Sequence, residues 1–440
     1  PFALTGAQKR CLAEISADME GQRPMARLLQ GDVGSGKTAV AAGAAAACVA
    51  SGHRAAVMAP TEILAEQHQS AFADLLAPLG FRTFGSPGNG ATIALLVGSL
   101  PAREKERIRS AARDGEVDVL IGTHALIQNR VAVKGLALVV VDEQHRFGVL
   151  QRAELVAKGD GGGVPHQMVM TATPIPRTLS MVLDASLDQS IIDEMPPGRR
   201  PAETLLLSPN DRERAYQFIR HRVAMGEQAF VVCPLVEASD GVSAEAAIVE
   251  YDRLTRDVYP DLTVGLVHGR MAPAEKEAAM AAFRSGEMSI LVATTVIEVG
   301  VDVPNATVMM VQDADRFGLA QLHQLRGRVG RGTAGGTCIL LTGSDAPRAL
   351  RRLEAVAKTS DGLELAALDL EIRGPGDFFG VRQAGEADGL RFARAAPPDT
   401  LSQAARVAAE IIAADPDLAE GRHAGLARLV TARGADPLPT

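Results

Sequence analysis

The octapeptide GDVGSGKT, Gly31 to Thr38, constrains this chain more than any other stretch: it fits G-x-x-x-x-G-K-[ST] and runs into a helix-forming segment. Glycines at 31, 34 and 36 are expected to let the backbone take positive φ, so that its N–H groups converge on an anion. Lys37 would place a positive charge on the β- and γ-phosphates of ATP, and the Thr38 hydroxyl would ligate Mg²⁺. The residues that follow, AVAAGAAAACVAS, form helix readily. The loop therefore empties onto a helix N-terminus, itself an anion site.

Such a loop needs a sheet to hang from, and the chain supplies one. Apolar runs at Arg54–Pro60, Ala91–Gly98, Val117–Thr123, Leu136–Glu143 and His166–Thr173 alternate with helical stretches such as Glu62–Leu76. Runs buried on both faces and alternating with helices mark a parallel sheet in an α/β domain. The pattern breaks at MPPGRRP, whose three prolines read as an interdomain linker. A second series follows, with strand-like runs at Gln228–Glu237, Leu262–Gly269, Met288–Thr295, Ala306–Gln312 and Gly336–Gly343, and no phosphate loop of its own. Past Leu363 the texture changes: LDLEIRGPGDFFGVRQAG is rich in glycine and charge, and an Ala-rich tail from Asp399 to about Arg433 has helical spacing. At 440 residues each part can bury a core. The fold class is thus α/β, with two parallel-sheet lobes at 1–195 and 196–362 and a small, mostly helical region at 363–440.

The chemistry divides between the lobes. VVVDEQH ends a buried strand on two carboxylates, where open α/β sheets bind ligands. Asp142 would hold Mg²⁺ through its water shell, and Glu143 would polarise the attacking water. In QLHQLRGRVGRG, Arg328 and Arg331 stand three residues apart, hence on one helical face. Two arginines against a transferring phosphate stabilise its developing charge, so ATP would sit between lobes and draw them together. The net charge of −8 excludes a wholly basic binder but leaves room for a local basic groove. Aromatics are few and Trp absent, so nucleic-acid contact would not rest mainly on base stacking. Cys11, Cys48, Cys233 and Cys338 lie far apart without a C-x-x-C, which indicates buried thiols in a reducing, cytoplasmic setting. No apolar run has the length of about 18 residues that a membrane span requires, and no membrane partner is expected.

GDVGSGKT, DEQH, TATPIPRT (Thr171 to Thr178), TTVIEVGVDVPNA (Thr294 to Ala306) and QLRGRVGR together resemble the ordered motif series of superfamily 2 helicases, over residues 1 to about 345. That resemblance implies two tandem RecA-like lobes of the P-loop NTPase kind. It implies that Gln8 reads the adenine edge and that Gly31, Asp32, Val33, Gly34, Ser35, Gly36, Lys37 and Thr38 cradle the nucleotide. Thr61, Glu62, Thr123 and His124 match motifs that touch the nucleic-acid backbone. Gln144, His145, Thr171 and Thr173 match those that couple hydrolysis to lobe movement, and Gln324, Thr295, Glu298 and Asp302 fall in second-lobe motifs facing ATP or DNA. PMARLLQGDVGSGKT, DEQHRFGVLQR, MTATPIPRTL and IDEMPPGRRP narrow the likeness to the RecG family of DNA helicases. LDLEIRGPGDFFGVRQAG is similar to the motif that family shares with the bacterial transcription–repair coupling factor, in which a helical hairpin and loop drive duplex translocation; Arg373 and Gln383 match its polar positions. The implied partners are branched DNA junctions and their duplex arms and a single-strand-binding protein, with the chain acting as a monomer. The implied activity is ATP-dependent remodelling of stalled forks and Holliday junctions. The chain resembles the motor of that family without its N-terminal wedge domain, so fork specificity and unwinding are expected to be weak.

Overall fold

The computed structural model describes residues 2–123, 126, 131–142, 164–172, 187–198, 201–234, 240–298, 303–330, 335–373 and 398–432. The first apolar series forms an eight-stranded sheet from β1 (Ala26–Gly31), β2 (Arg54–Met58), β3 (Arg82–Thr83), β4 (Thr92–Leu96), β5 (Val119–Gly122), β6 (Leu136–Asp142), β7 (His166–Thr171) and β8 (Asp188–Ile192). Their order is β3-β4-β5-β2-β6-β7-β1-β8. The pairs from β3 through to β1 are parallel. Sequence texture explains the layering. Leu138 and Val140 of β6 pack with helices α1 (Gly6–Met19), α2 (Lys37–Ala50) and α3 (Glu62–Leu76) on one face. Val139 and Val141 pack with Ile108 and Ala112 of α4 (Ala102–Asp114) on the other. A strand buried on both sides has no polar face to alternate, hence its continuous apolar run. The small side chains of α2, Ala41 and Ala45, are fully buried and let that helix lie close to the sheet. Phe72 of α3 is also fully buried, a contribution of about 1.5–3 kcal/mol.

The second series forms a six-stranded parallel sheet from β9 (Glu203–Leu207), β10 (Gln228–Val232), β11 (Val264–Val267), β12 (Ile290–Ala293), β13 (Ala306–Val311) and β14 (Thr337–Leu341), in the order β11-β12-β10-β13-β14-β9. Around it run α5 (Arg212–Ala224), α6 (Asp240–Arg253), α7 (Pro273–Arg284), α8 (Leu319–Arg326) and α9 (Pro347–Lys358). Helices α10 (Gly362–Arg373), α11 (Pro398–Ala414) and α12 (Ala424–Ala432) follow. Both sheets, Asp188 aside, belong to one compact unit that ends at Leu365; Asp188 and the residues beyond Leu365 belong to a second. The expected border at residue 195 falls between the last strand of the first sheet and the first strand of the second.

Three strands were not anticipated, the two-residue β3 and the longer β8 and β9. β8 and β9 flank the proline-rich segment, and each forms the edge of its sheet. An edge strand buries less and so need not carry a long apolar run; β9 is only half-buried along most of its length.

Candidate nucleotide site

The phosphate loop begins where β1 ends. Gly34 and Gly36 take positive φ, at 79° and 91°, as expected. Gly31 does not: it ends β1 in extended backbone. Its glycine is required by space instead, since a Cβ there would lie 2.6 Å from Ser35 Oγ and 3.1 Å from Ile192 Cβ. Gly36 is the N-cap of α2, with no side chain capping that terminus. Ala39 N and Val40 N of its first turn donate to Gly36 O (3.0 and 3.3 Å), and this 14-residue helix opens onto the loop with its positive end. Ser35 Oγ is buried with no hydrogen-bond partner among the described residues. A helix N-terminus without a side-chain cap and an orphaned hydroxyl make a cradle suited to an anion. Lys37 Nζ donates to the carbonyls of Gly31 (2.7 Å) and Asp32 (3.0 Å), so the ammonium is held over the loop by its own backbone.

Gln8 closes the loop from outside. Its Oε1 accepts from Thr5 N (3.0 Å), and its Nε2 donates to Ser35 O (2.8 Å). Thr5 Oγ1 in turn accepts from Gln8 N, which completes a capping box on α1. The side chain is almost fully buried. Both ends of its amide are thus spent on the loop and on α1 here.

The neighbouring strands bring the other first-lobe groups to the same edge. Register pairs Gln30 of β1 with Thr171 of β7, and Met170 of β7 with Asp142 of β6. Asp142, Thr171 and the loop therefore share the carboxyl ends of three adjacent strands, the side on which open α/β sheets bind ligands. Asp142 is buried, and its Oδ2 lies 2.7 Å from His68 Nε2 on α3. His68 was not anticipated as a site residue; 74 residues of chain separate the pair, and a buried helical histidine carries no local mark. Among the described residues no cluster of three or more His, Cys, Asp or Glu side chains could enclose a metal. One hydroxyl and one carboxylate, Thr38 and Asp142, suit Mg²⁺, which keeps several of its waters.

The second sheet reaches this loop through the end of α8. A Cβ on Gly327 would lie 2.9 Å from Val33 Cβ, so the loop and this segment approach to a distance only glycine permits. His323 Nε2 lies 3.0 Å from Asp32 Oδ1. Gln324 and Arg328 are buried in the same segment. Beside it lies a cavity of about 290 Å³ walled by Gly31, Asp32, the Ile192–Met195 stretch, His323 and Arg326. Lys37, Thr38 and Asp142 do not line it, but Val33 and Ser35 of the loop do, so it adjoins the phosphate cradle.

Two of the residues expected to touch nucleic acid, Thr61 and Glu62, are engaged locally. Thr61 caps α3 by accepting from Leu64 N (3.3 Å), and Glu62 accepts from Gly98 N (2.9 Å) and Ser99 N (3.2 Å). Thr123 is buried just after β5, and Thr295 is half-buried at the start of a short 3₁₀ turn. Glu298 ends that turn, and Arg373 ends α10. Glu143, Gln144, His145, His124, Thr173, Asp302, Arg331 and Gln383 lie outside the described residues.

Three family descriptions match in succession: "DEAD/DEAH box helicase" over residues 5–182, "Helicase conserved C-terminal domain" over 212–333, and "ATP-dependent DNA helicase RecG, domain 3, C-terminal" over 359–430. The chain is 50% identical over 395 residues to the ATP-dependent DNA helicase RecG of Escherichia coli K12, covering 88% of this chain and 55% of that protein. It is 46% identical over 431 residues to the same-named protein of Bacillus subtilis, covering 97% and 61%. Against that of Synechocystis the identity is 46% over 418 residues, covering 95% and 49%. The chain thus spans about half the length of the curated relatives it matches. A solved structure of RecG bound to a three-way DNA junction superposes with a TM-score of 0.73 at 44% identity, covering 86% of this chain and 48% of that one. A DEAD-box helicase, Mss116, shares the fold at TM-score 0.62 and 16% identity, covering 86% and 80%.

Proposed function

The chain belongs to the RecG family of DNA helicases, and we propose that it is an ATP-driven motor that moves on duplex DNA and remodels branched junctions. One observation carries the reading: the segment that bears Arg328 packs on the phosphate loop at Gly327 and Val33, so groups from both sheets meet at one triphosphate site. In this reading Lys37 leaves the Gly31 and Asp32 carbonyls to bind the β- and γ-phosphates, and the α2 amides with Ser35 hold the remaining oxygens. Thr38 and Asp142 would hold Mg²⁺, which would offset the negative charge of the phosphates. His68 orients the Asp142 carboxylate; Glu143 accepts the proton of the attacking water. Arg328 and Arg331 stabilise the charge that spreads over the transferring phosphoryl group.

A nucleotide that binds the closed arrangement more tightly than the open one shifts the equilibrium between them, and that shift is the power stroke. Thr61, Glu62, Thr123, His124, Thr295 and Asp302 hold the strand backbone; His145, Thr171, Thr173 and Gln324 pass the nucleotide state to it. Residues 363–440, with Arg373 and Gln383, act as the translocation element beyond lobes at 1–195 and 196–362. Monomeric action in the cytoplasm and recruitment by a single-strand-binding protein belong to the same proposal. The test is the ATPase rate without DNA and with single strand, linear duplex and four-way junction, across a salt series. Stimulation greatest with the junction and falling steeply with salt is expected, because phosphate contacts release counterions. A rate indifferent to DNA at low salt would refute the motor.

A further inference from the structure

The second-sheet motif QLHQLRGRVGRG contains two basic residues that the proposed chemistry does not use, His323 and Arg326. They stand three residues apart at the end of α8, so they share a face, and each is about 5% exposed. Arg326 Nη1 donates to Val356 O (2.6 Å) and Thr359 O (2.7 Å), at the last turn and cap of α9. A cation is favoured there by the carbonyls that a helix terminus leaves unpaired. Its Nη2 donates to His323 Nδ1 at 2.8 Å. Guanidinium nitrogens carry donors only, so Nδ1 must be the bare ring nitrogen. The ring proton then sits on Nε2 and is donated to Asp32 Oδ1. His323 is therefore a neutral bridge between a buried cation and a carboxylate on the phosphate loop.

The charges support this order. Burial alone would raise the Asp32 carboxyl, but the hydrogen bond from His323, the Gly362 N–H and Lys37 together hold it below the ordinary carboxylate range. Burial holds Arg326 below the ordinary guanidinium range, and Asp32, acting through space, partly opposes that lowering. An arginine so deeply buried needs a compensating anion, and here it lies on the loop of the other sheet. Gly327, next in sequence, supplies the close approach to Val33.

We propose that His323 and Arg326 are positioning residues: the Asp32–His323–Arg326 relay clamps the end of α8 onto the phosphate loop and so aims Arg328, two residues further on. The proposal rests on the ATPase reading, and its tests separate the two. In the full chain, His323→Ala removes both bonds. His323→Gln can restore both, its Oε1 accepting from Arg326 and its Nε2 donating to Asp32. Replacing the bridge by Ala is expected to lower kcat for ATP on the order of 10- to 100-fold, the effect of a misplaced group in a site. The dissociation constant of a fluorescent ATP analogue should change by less than about threefold, since the clamp positions the arginine and does not itself hold phosphate. The Gln variant is expected to recover most of kcat. Equal losses in Ala and Gln, or a loss that tracks the fall in melting temperature, would overturn the clamp. If the unaltered chain turns over no ATP, the ATPase reading has failed. The relay is then judged by ¹⁵N spectra of the His323 ring, assigned by its absence in His323→Gln. A neutral ring protonated on Nε2 supports it, and a ring protonated on Nδ1 refutes it.

Discussion

Gly36→Ala tests how the phosphate loop is held, because two separable penalties meet at that residue. The first is conformational: φ is 91°, and a side chain in left-handed backbone costs about 1–2 kcal/mol. The second is steric, since a Cβ there would overlap Gln8 Nε2 and break its bond to Ser35 O. Losing that bond leaves a buried amide unpaired, a further cost of about 1–3 kcal/mol. The substitution alone should therefore destabilise the loop and α2 by about 2–5 kcal/mol. In a Gln8→Ala background the steric penalty is already absent, and only the conformational 1–2 kcal/mol, roughly, should remain. The coupling between the two positions is thus about 1–3 kcal/mol, or roughly 5- to 150-fold in an equilibrium constant. Amide exchange over Val40–Ala45 reads it directly, because those N–H groups open with the helix that Gly36 caps. If Gly36→Ala costs the same in both backgrounds, Gln8 does not brace the loop, and its burial there is incidental.

Other expectations follow from the same structure. Lys37→Ala should abolish ATP turnover, by at least on the order of 10²-fold, with little change in melting temperature, since Nζ donates to loop carbonyls; DNA-stimulated turnover that survives it would remove Lys37 from the site. Burial pushes Cys11 up to about 11 and Cys48, Cys233 and Cys338 up to about 12, so thiolates are scarce near neutrality. A disulfide reagent should label all four only after denaturation, and fast native labelling would contradict their burial. Asp32 is depressed below 3.8, so its contribution to stability is present above that value and is lost as pH falls through the lower folded value. The stability gap between the unaltered chain and Asp32→Asn, followed by urea midpoints, should stay constant from pH 7 down to about 5 and close below about 4. Arg27 donates to Asp18 (2.7 Å), Ser190 Oγ (3.0 Å) and Gln189 O (3.1 Å), tying α1, β1 and β8 together. Arg27→Ala should cost about 1–3 kcal/mol, as expected when part-buried hydrogen-bonding groups lose a charged partner, and a loss under about 0.5 kcal/mol, the ordinary range for surface changes, would mean the network holds nothing.

Legibility followed the range of the interaction. The two sheets could be read because burial on both faces writes itself into consecutive residues, as at Leu136–Asp142. β8 and β9 could not, because an edge strand beside prolines writes no such run. Gly34 and Gly36 were correctly expected at positive φ, since the loop's own geometry demands it. Gly31 was explained by the wrong cause: its neighbour in space, Ile192, lies 161 residues away in sequence. His68 and His323 were missed for the same reason, their partners standing 74 and 291 residues distant.

Asp32 shows what a motif hides. The pattern G-x-x-x-x-G-K-[ST] treats its second position as open, because phosphate chemistry there needs only the backbone. Yet the side chain at that position bonds His323 of the second sheet and draws on the Gly362 N–H at the start of α10. The glycines, Lys37 and Thr38 answer to a ligand common to many folds, so a pattern can record them. Asp32 answers to its neighbours in this fold: its side chain bonds His323, on the segment that bears Arg328. Residues that tie a general site to a particular machine are therefore to be sought at the positions a motif leaves blank, and in this chain they converge on one carboxylate.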